Sequence, residues 1–546
     1  MKKFRFKSVV AMASAKMSVK SAAIILATST LISALLGPFR DRLLNSYYLG
    51  TYPTGIDAYT AAFTIPDFMF FVLTSGALAV SFIPVFNQRL IAGNKKSAWE
   101  LSSSLTNLLA ILTLITSILI MIFADPLIRY IVSPGLDESG MILAINMTRV
   151  IAINPFLFSI ATVLTSIQQA VGRFVFYAFA PAIYNIGIII GITWFTGGIN
   201  VFGVQIFEGG IMGVAIGVIL GAVMQLIVSL IGLFGLGFDY DFKIYWKNQG
   251  FRTILKLLPL RSLDQGIDYV NSIVNTNLSS RMGAGAVRSF NQASSLHQMP
   301  VNLIGVAIST AFFPKLTEEI GSGDKTEFNN TFRTALRMII WISLPIAAIA
   351  FFTRGYVTSF ISNIGNNDSN GTIASVLGTL CIAIFARSVF HIASRGFYAY
   401  QDTKTPFRVS IVAIGLTIAL SIWFYVLGWG VDGLGLAQSL GAVAEIVILL
   451  YILQRRSEYR IFNKTFFKNF LRMLVATLIA SCVAFSLTKF IPLMATDNSL
   501  VITVPKFLLI SASSILSYII ASYFLNLDEV KPIVSYAKKI LFRNIK

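Results

Sequence analysis

The chain of 546 residues is a succession of apolar stretches separated by short polar ones. Stretches long enough to span a bilayer as a helix, roughly 20 residues, recur about fourteen times. They lie near 18–39, 56–85, 101–124, 142–170, 176–196, 209–236, 252–280, 285–314, 331–353, 373–398, 407–429, 432–454, 468–490 and 501–526. The pattern predicts an all-α polytopic membrane protein of about 14 transmembrane helices. No lone soluble domain, long linker or low-complexity stretch interrupts it.

Two consecutive stretches depart from a lipid-facing pattern. Arg261, Asp264, Asp268, Asn271 and Asn275 recur at steps of 3, 4, 3 and 4, which places all five on one helix face. After Gly283 and Gly285, Arg288, Asn291, Ser295, Gln298 and Asn302 repeat the spacing. A charge at the bilayer centre costs about 2.5–3.5 kcal/mol on insertion scales, so these charges face a wet cavity or each other. Both readings stand at this point: a cavity lined by two polar stripes, or a fixed ion pair of Arg261 with Asp264 or Asp268. A smaller cluster ends the first stretch at Arg40, Asp41 and Arg42, with Asp57 and Asp67 flanking the start of the second. Arg40 either contributes to binding or sits at the outer interface. Arg387 and His391 share a helix face, and with Glu445 they suit helix–helix hydrogen bonding. Pro66, Pro155, Pro300 and Pro345 lie within spanning stretches and favour bends there.

Composition agrees with the pattern. Hydrophobic residues make up 55% and charged residues 12%, against roughly 25% charged in soluble proteins. The formal net charge of +19 lies mostly in loops, where it sets topology and meets anionic headgroups, and no nucleic-acid motif accompanies it. The basic tail before the first stretch, every second loop and the basic tail after the last carry the Lys and Arg, whereas 197–209 and 428–433 carry none. The positive-inside rule then predicts both termini in the cytoplasm and an even number of spans. The N-terminal basic segment reads as a cytoplasmic tail over 1–17, not a cleaved leader. Cys381 and Cys482 both lie in apolar stretches, as packing residues. There is no Walker loop and no metal-ligand spacing, so no enzyme, cofactor or metal is expected. Binding and movement remain.

The chain repeats itself. Gly76–Pro84 resembles Val306–Pro314 at an offset of 230, and Gly172-Arg173-Phe174 before Ala180-Pro181 resembles Arg395-Gly396-Phe397 before Thr405-Pro406 at an offset near 225. Six spans separate the copies. The even shift preserves orientation, so the halves are parallel repeats about an axis along the membrane normal, with substrate sites between them. The expected divisions are a tail (1–17), an N-lobe of six spans (18–236), a C-lobe of six (252–454), an appendage of two (468–526) and a basic cytoplasmic tail (527–546).

Several motifs, in order over about residues 20–455, resemble the MurJ (MviN) family of lipid II flippases. They include Leu36–Asp41, Ile56–Pro66, Phe82–Phe86, Val132–Gly135, Ala180–Asn185, Gly305–Thr310 and Gly396–Pro406. The resemblance implies membership of the multidrug/oligosaccharidyl-lipid/polysaccharide exporter superfamily. It implies two six-helix lobes around a central cationic cavity and two extra helices forming a groove for a lipid tail. It also implies the activity: moving lipid II, the undecaprenyl-pyrophosphate-linked peptidoglycan precursor, across the bacterial cytoplasmic membrane by alternating access. The partners are then that substrate, the lipid bilayer and cell-wall synthesis proteins. Coupling falls to sodium, a proton or the membrane potential, with Asp264 or Asp268 able to titrate or bind the ion. The alternatives are a flippase for another polyprenyl-pyrophosphate-linked oligosaccharide and a cation-coupled multidrug exporter, the latter disfavoured by the span count. The cavity candidates are Arg40, Asp41, Arg261, Asp264, Asp268, Asn271, Arg288, Asn291 and Gln298. The chain departs from the family where basic residues are usual in the second span, at Phe70 and Phe71, where an acidic residue is usual, at Ser75, and where an arginine is usual, at Ser295. The first arginine of the family's first-span pattern is also missing. Arg261 and Arg288 are the candidates to replace the lost charge.

Overall fold

The structure, a computed structural model, describes residues 19–75, 82–201, 204–362, 367–457, 461–494, 497, 499–532 and 534–535. Some side chains within its helices, 257–265, 267 and 268 among them, are not described. The tail 1–17, most of 527–546 and the repeat motif's segment 76–81 therefore lie outside the described residues.

In chain order the helices are α1 (Val19–Tyr48), α2 (Pro53–Ala62), α3 (Thr64–Phe70), a π-helical turn π1 (Phe71–Ser75), α4 (Ile83–Ile91), α5 (Lys95–Pro126) and π2 (Leu127–Val132). Then come α6 (Glu138–Ile151), α7 (Asn154–Ala170), α8 (Val175–Thr193), a ribbon of β1 (Ile199–Val201) and β2 (Val204–Phe207), and α9 (Met212–Ile231). The remainder is α10 (Gln249–Ser280), α11 (Ala286–Val301), π3 (Asn302–Val306), α12 (Ala307–Gly321), α13 (Lys325–Thr358), α14 (Asn367–Ala399), α15 (Lys404–Val426), α16 (Gly430–Arg456), α17 (Lys464–Phe490) and α18 (Leu500–Phe524). Among the described residues the all-α architecture carries one exception, a short antiparallel ribbon with Ile199 opposite Phe207 and Val201 opposite Val204.

Among the described residues, twelve helical stretches are long and apolar enough to cross a membrane. They fall on twelve of the fourteen stretches read from the sequence. The first and seventh correspond to α1, of 30 residues, and α10, of 32; at 1.5 Å per residue both have the length to cross. Short polar residues start the long helices. Asn94, Asp137, Asn248, Asp324, Asn463 and Ser499 accept hydrogen bonds from the first free backbone amides of α5, α6, α10, α13, α17 and α18, satisfying donors that the helix itself cannot. Pro66, Pro126 and Pro300 each precede a π turn within five residues. A proline has no amide to close the ladder, and the wider i→i+5 turn accommodates the break.

The chain forms two compact units, Met1–Val287 and Arg288–Lys546. The repeat puts α10 at the head of the second six-span set. By packing it belongs to the first unit, because it lies against π1, α3, α5 and π2. Lobes defined by chain repetition and units defined by contact need not share an edge.

In the first unit, α8 and α9 approach through facing glycines. A Cβ on Gly187 would meet Gly221 Cα at 2.2 Å, and one on Gly191 would meet Gly217 Cα at 2.6 Å. Small residues four apart let helix backbones touch where hydrophobic collapse gives no drive. A second core gathers Phe82, Phe86, Trp99, Leu101, Leu105 and Phe251. Over it lies the segment 238–248, stitched to a polar row on α5. Asn107 Nδ2 donates to the carbonyls of Asp241 and Lys243 at 2.8 and 3.1 Å. Ser103 Oγ and Ser104 Oγ accept from the amides of Asp241 and Tyr245. Within the segment the Tyr245 hydroxyl donates to Asp241, which pushes the phenol up to about 12 and holds the carboxyl below its ordinary range.

The second unit's core is built from α13, α14, α16, α17 and α18 around Phe328, Phe332, Leu336, Phe397 and Leu449. The last helix docks on α13 through specific bonds. The Tyr518 hydroxyl donates to the Trp341 carbonyl at 2.8 Å, and the Trp341 indole donates to Ser522 Oγ at 3.1 Å. Arg337 pairs with Asp528 at 3.1 Å just beyond the helix end. Between α14 and α15, Asp402 accepts from the amides of Lys404 and Thr405 at 3.0 Å, from the Thr405 hydroxyl at 2.7 Å and from Arg456 Nη1 at 2.6 Å. Burial alone would raise its pKa, but the Thr405 bonds and the Arg456 charge outweigh that and hold it at about 2.

Two predictions follow from this packing. Gly187→Ala should lower stability by about 1–3 kcal/mol, because backbone must shift, whereas Gly37→Ala, which meets nothing within 4 Å, should stay within about 0.5 kcal/mol. Thermal unfolding of the purified proteins in detergent checks both. Asp402 binds its proton less readily folded than unfolded, so its contribution is present above about pH 4 and lost as pH falls toward 2. The unfolding midpoint of Asp402→Asn should accordingly lie below that of the parent at pH 6, with the gap narrowing below pH 4.

Candidate functional site

Arg40 lies in the third quarter of α1, two residues after a proline inside the helix. Its guanidinium is held on two sides. Nη2 meets Asp41 Oδ1 at 2.9 Å, and Nη1 donates to Asn185 Oδ1 on α8 at 3.0 Å. The Arg40 and Asp41 side chains keep 25% and 14% of their surface exposed. Such a guanidinium is neither lipid-facing nor sealed: it is oriented by an amide and a carboxylate while part of it stays accessible. Arg40 and Asp41 are therefore brought together as the sequence suggested. Asn185 was quoted only as part of a motif, and its role was invisible, since nothing local pairs residues 145 apart.

Aromatic rings continue from this point. Tyr184, next to Asn185, packs edge-on against Phe158 with centroids 5.1 Å apart. Phe158 meets Phe70 at 5.7 Å, Phe70 meets Phe71 at 5.4 Å, and Phe71 stacks on Tyr269 of α10 at 4.6 Å and 26°. All five rings are half-buried. Asp67 lies on the same helical face as Phe70 and Phe71, one turn earlier, and is also half-buried.

The two polar stripes fare differently. Arg261, Asp264 and Asp268 lie on α10, but their side chains are outside the described residues. Asn271 and Asn275 are buried, at 9% and 1% exposure, with Asn275 Nδ2 donating to Asn271 Oδ1 at 3.3 Å. The end of α10 is fastened within the first unit. Asn277 Nδ2 donates to the Ile131 carbonyl at 2.7 Å, the Gly135 amide to Ser280 Oγ at 3.2 Å, and the Gly285 amide to the fully buried Asp57 at 2.7 Å. Gly135 must be glycine here, since a Cβ would lie 2.5 Å from Arg281 Cα.

On α11 the second stripe splits. Asn291 and Ser295 are exposed, as is Asn302 just beyond it, and Gln298 donates to Asn302 at 3.1 Å. Arg288, expected on the same open face, is turned inward at 4% exposure. With its amide oxygen facing the guanidinium, Gln292 accepts from Arg288 Nη1 and Nη2 at 2.9 and 2.8 Å. Deeper in this unit, Glu445 on α16, 2% exposed, accepts from Arg387 on α14 at 3.0 Å and from Ser410 on α15 at 2.6 Å. That is the helix–helix bonding expected of Arg387 and Glu445, and it ties three helices at one carboxylate. Among the described residues no group of three or more His, Cys, Asp or Glu could hold a metal ion.

Comparison with known proteins fits this geometry. The family model described as "Lipid II flippase MurJ" matches residues 45–506. A "Probable lipid II flippase MurJ" of Buchnera aphidicola subsp. Schizaphis graminum is 24% identical over 528 residues, covering 96% of this chain and 99% of that one. A "Lipid II flippase MurJ" of Burkholderia cenocepacia is 26% identical over 443 residues, covering 79% and 83%. Among solved structures, a lipid II flippase MurJ in an inward closed conformation shares the fold with a TM-score of 0.72 at 23% identity, covering 96% and 99%.

The Arg387–Glu445 tie gives a stability prediction. Removing the 29%-exposed arginine leaves the 2%-exposed Glu445 carboxylate without its counter-charge, so Arg387→Ala should cost about 3 kcal/mol or more. The double variant Arg387→Met/Glu445→Met should recover most of that loss. Thermal unfolding of the two purified variants beside the parent decides it.

Proposed function

The chain belongs to the MurJ lipid II flippase family, and from that premise we propose that it carries lipid II across the bacterial cytoplasmic membrane by alternating access. Arg40 carries the reading. A pyrophosphate cannot cross hydrocarbon unaided, and arginine meets it through two parallel charge-assisted hydrogen bonds. The guanidinium is already aimed by Asp41 and Asn185, so little ordering is left to the moment of binding. The activity is transport and not catalysis. The isoprenoid tail stays in lipid while the head group moves through the wet interior. In this reading both termini are cytoplasmic, and the lobes 18–236 and 252–454 open alternately to the two sides. The drive is a sodium ion, a proton or the membrane potential acting on charge in the cavity.

Expression of the chain in a strain depleted of its own lipid II flippase should restore growth. Failure to rescue at normal membrane abundance would sink the proposal. Arg40→Ala should abolish rescue, since the lost charge-assisted bonds, about 1.5–3 kcal/mol each, weaken head-group binding by tenfold or more. Arg40→Lys, a point charge without the planar fork, should retain part of it.

A further inference from the structure

We propose that the first unit holds a sugar ring of the head group on an aromatic platform formed by Phe70, Phe71, Phe158, Tyr184 and Tyr269, with Asp67 accepting the sugar's hydroxyls. The inference rests on the lipid II reading and names the part of the head group that this wall takes.

Packing rings such as Phe82 and Phe86 are wholly buried in this unit, whereas the five platform rings are all half-buried, in a row from α10 through π1, α3 and α7 to α8. Asp67 shows which way they face. It lies in the middle of the span Pro53–Thr74, and among the described residues its carboxylate has no hydrogen-bonding or ionic partner. An unpaired carboxylate is expensive against lipid, so it faces the interior of the helix bundle. Phe70 and Phe71 follow it by three and four residues and share that side of the helix.

A wall of rings beside a carboxylate selects its ligand by chemistry. An isoprenoid tail would cover the rings but strand Asp67. A second phosphate would be repelled by it. A pyranose fits both: its axial C–H bonds form an apolar face that lies on a ring, and its edge carries hydroxyls that a carboxylate accepts. Pockets for such ligands pair aromatic walls with a few placed polar groups. The row also starts where the pyrophosphate would sit, since Tyr184 adjoins Asn185, and Asn185 accepts from Arg40. A sugar bonded directly to that pyrophosphate comes first to Tyr184 and Phe158. The departure at Phe70 and Phe71, where the family resemblance implies basic residues, then exchanges charge for stacking.

The test uses the full-length purified chain in lipid nanodiscs, titrated with lipid II and with undecaprenyl pyrophosphate, which lacks the sugars. Phe70→Leu and Phe71→Leu keep apolar volume and remove the ring. Each should weaken lipid II binding about three- to tenfold and leave undecaprenyl pyrophosphate within twofold. Phe71→Trp, which restores a ring, should keep the preference for lipid II. Equal losses for both lipids, no loss for either, or a tryptophan variant behaving like leucine would overturn the platform. So would a parent chain with no preference for the sugar-bearing lipid. Failure of the lipid II reading shows separately, as a parent chain that does not rescue the depleted strain.

Discussion

A guanidinium inside a hydrocarbon slab must bring its partners with it. Three arginines within the spans show how much structure that single demand dictates. Arg40 recruits a carboxylate from its own helix and an amide from α8. Arg288 takes an amide one turn along α11. Arg387 takes a carboxylate from α16 that also binds a hydroxyl of α15. The first and the third fix which helices are neighbours, because the alternative, a bare charge in lipid, costs more than most single packing contacts return.

The three solutions divide by what remains exposed. At Arg387 the acid is sealed, and the group acts as a rivet between helices. At Arg40 a quarter of the side chain is open, so the partners aim the charge without consuming it. The same contrast separates the rings: those of the cores are closed, and those running from Tyr184 to Tyr269 are not. The end of α10 and the turn that follows it form a third kind of polar contact. There Asn277, Ser280 and the Gly285 amide bond to π2, to Gly135 and to Asp57. These bonds place α10 by contact with a unit to which the chain repeat does not assign it.

The helical spans were legible in the sequence, since apolar length is written directly into it. Arg40 and Asp41 were legible as part of a cluster, because they are adjacent. Arg288 was misread as open because periodicity gives a face but not which side of the helix is covered; Gln292, four residues on, decided it. Asn185 and the ring row could not be read, because they join residues from four or more separate helices. The ribbon at 199–207 fell in a stretch read only as a loop poor in charge. The π turns had a local signal in Pro66 and Pro300, which was read as bending, and in Pro126, which was not singled out. Two of them, π1 and π3, begin 231 residues apart, nearly the offset of the repeat. The duplicated pattern thus extends to backbone detail.

The glycine contact between α8 and α9 has a mechanical meaning. With no side chain between Gly187 and Gly221 or between Gly191 and Gly217, the two backbones have no compliant layer through which to shear. The pair is a stiff beam. Asn185 stands on that beam two residues before the first of those glycines, with its amide oxygen on Arg40. A displacement of the guanidinium is thus coupled, through one amide side chain, to a pair of helices that move together.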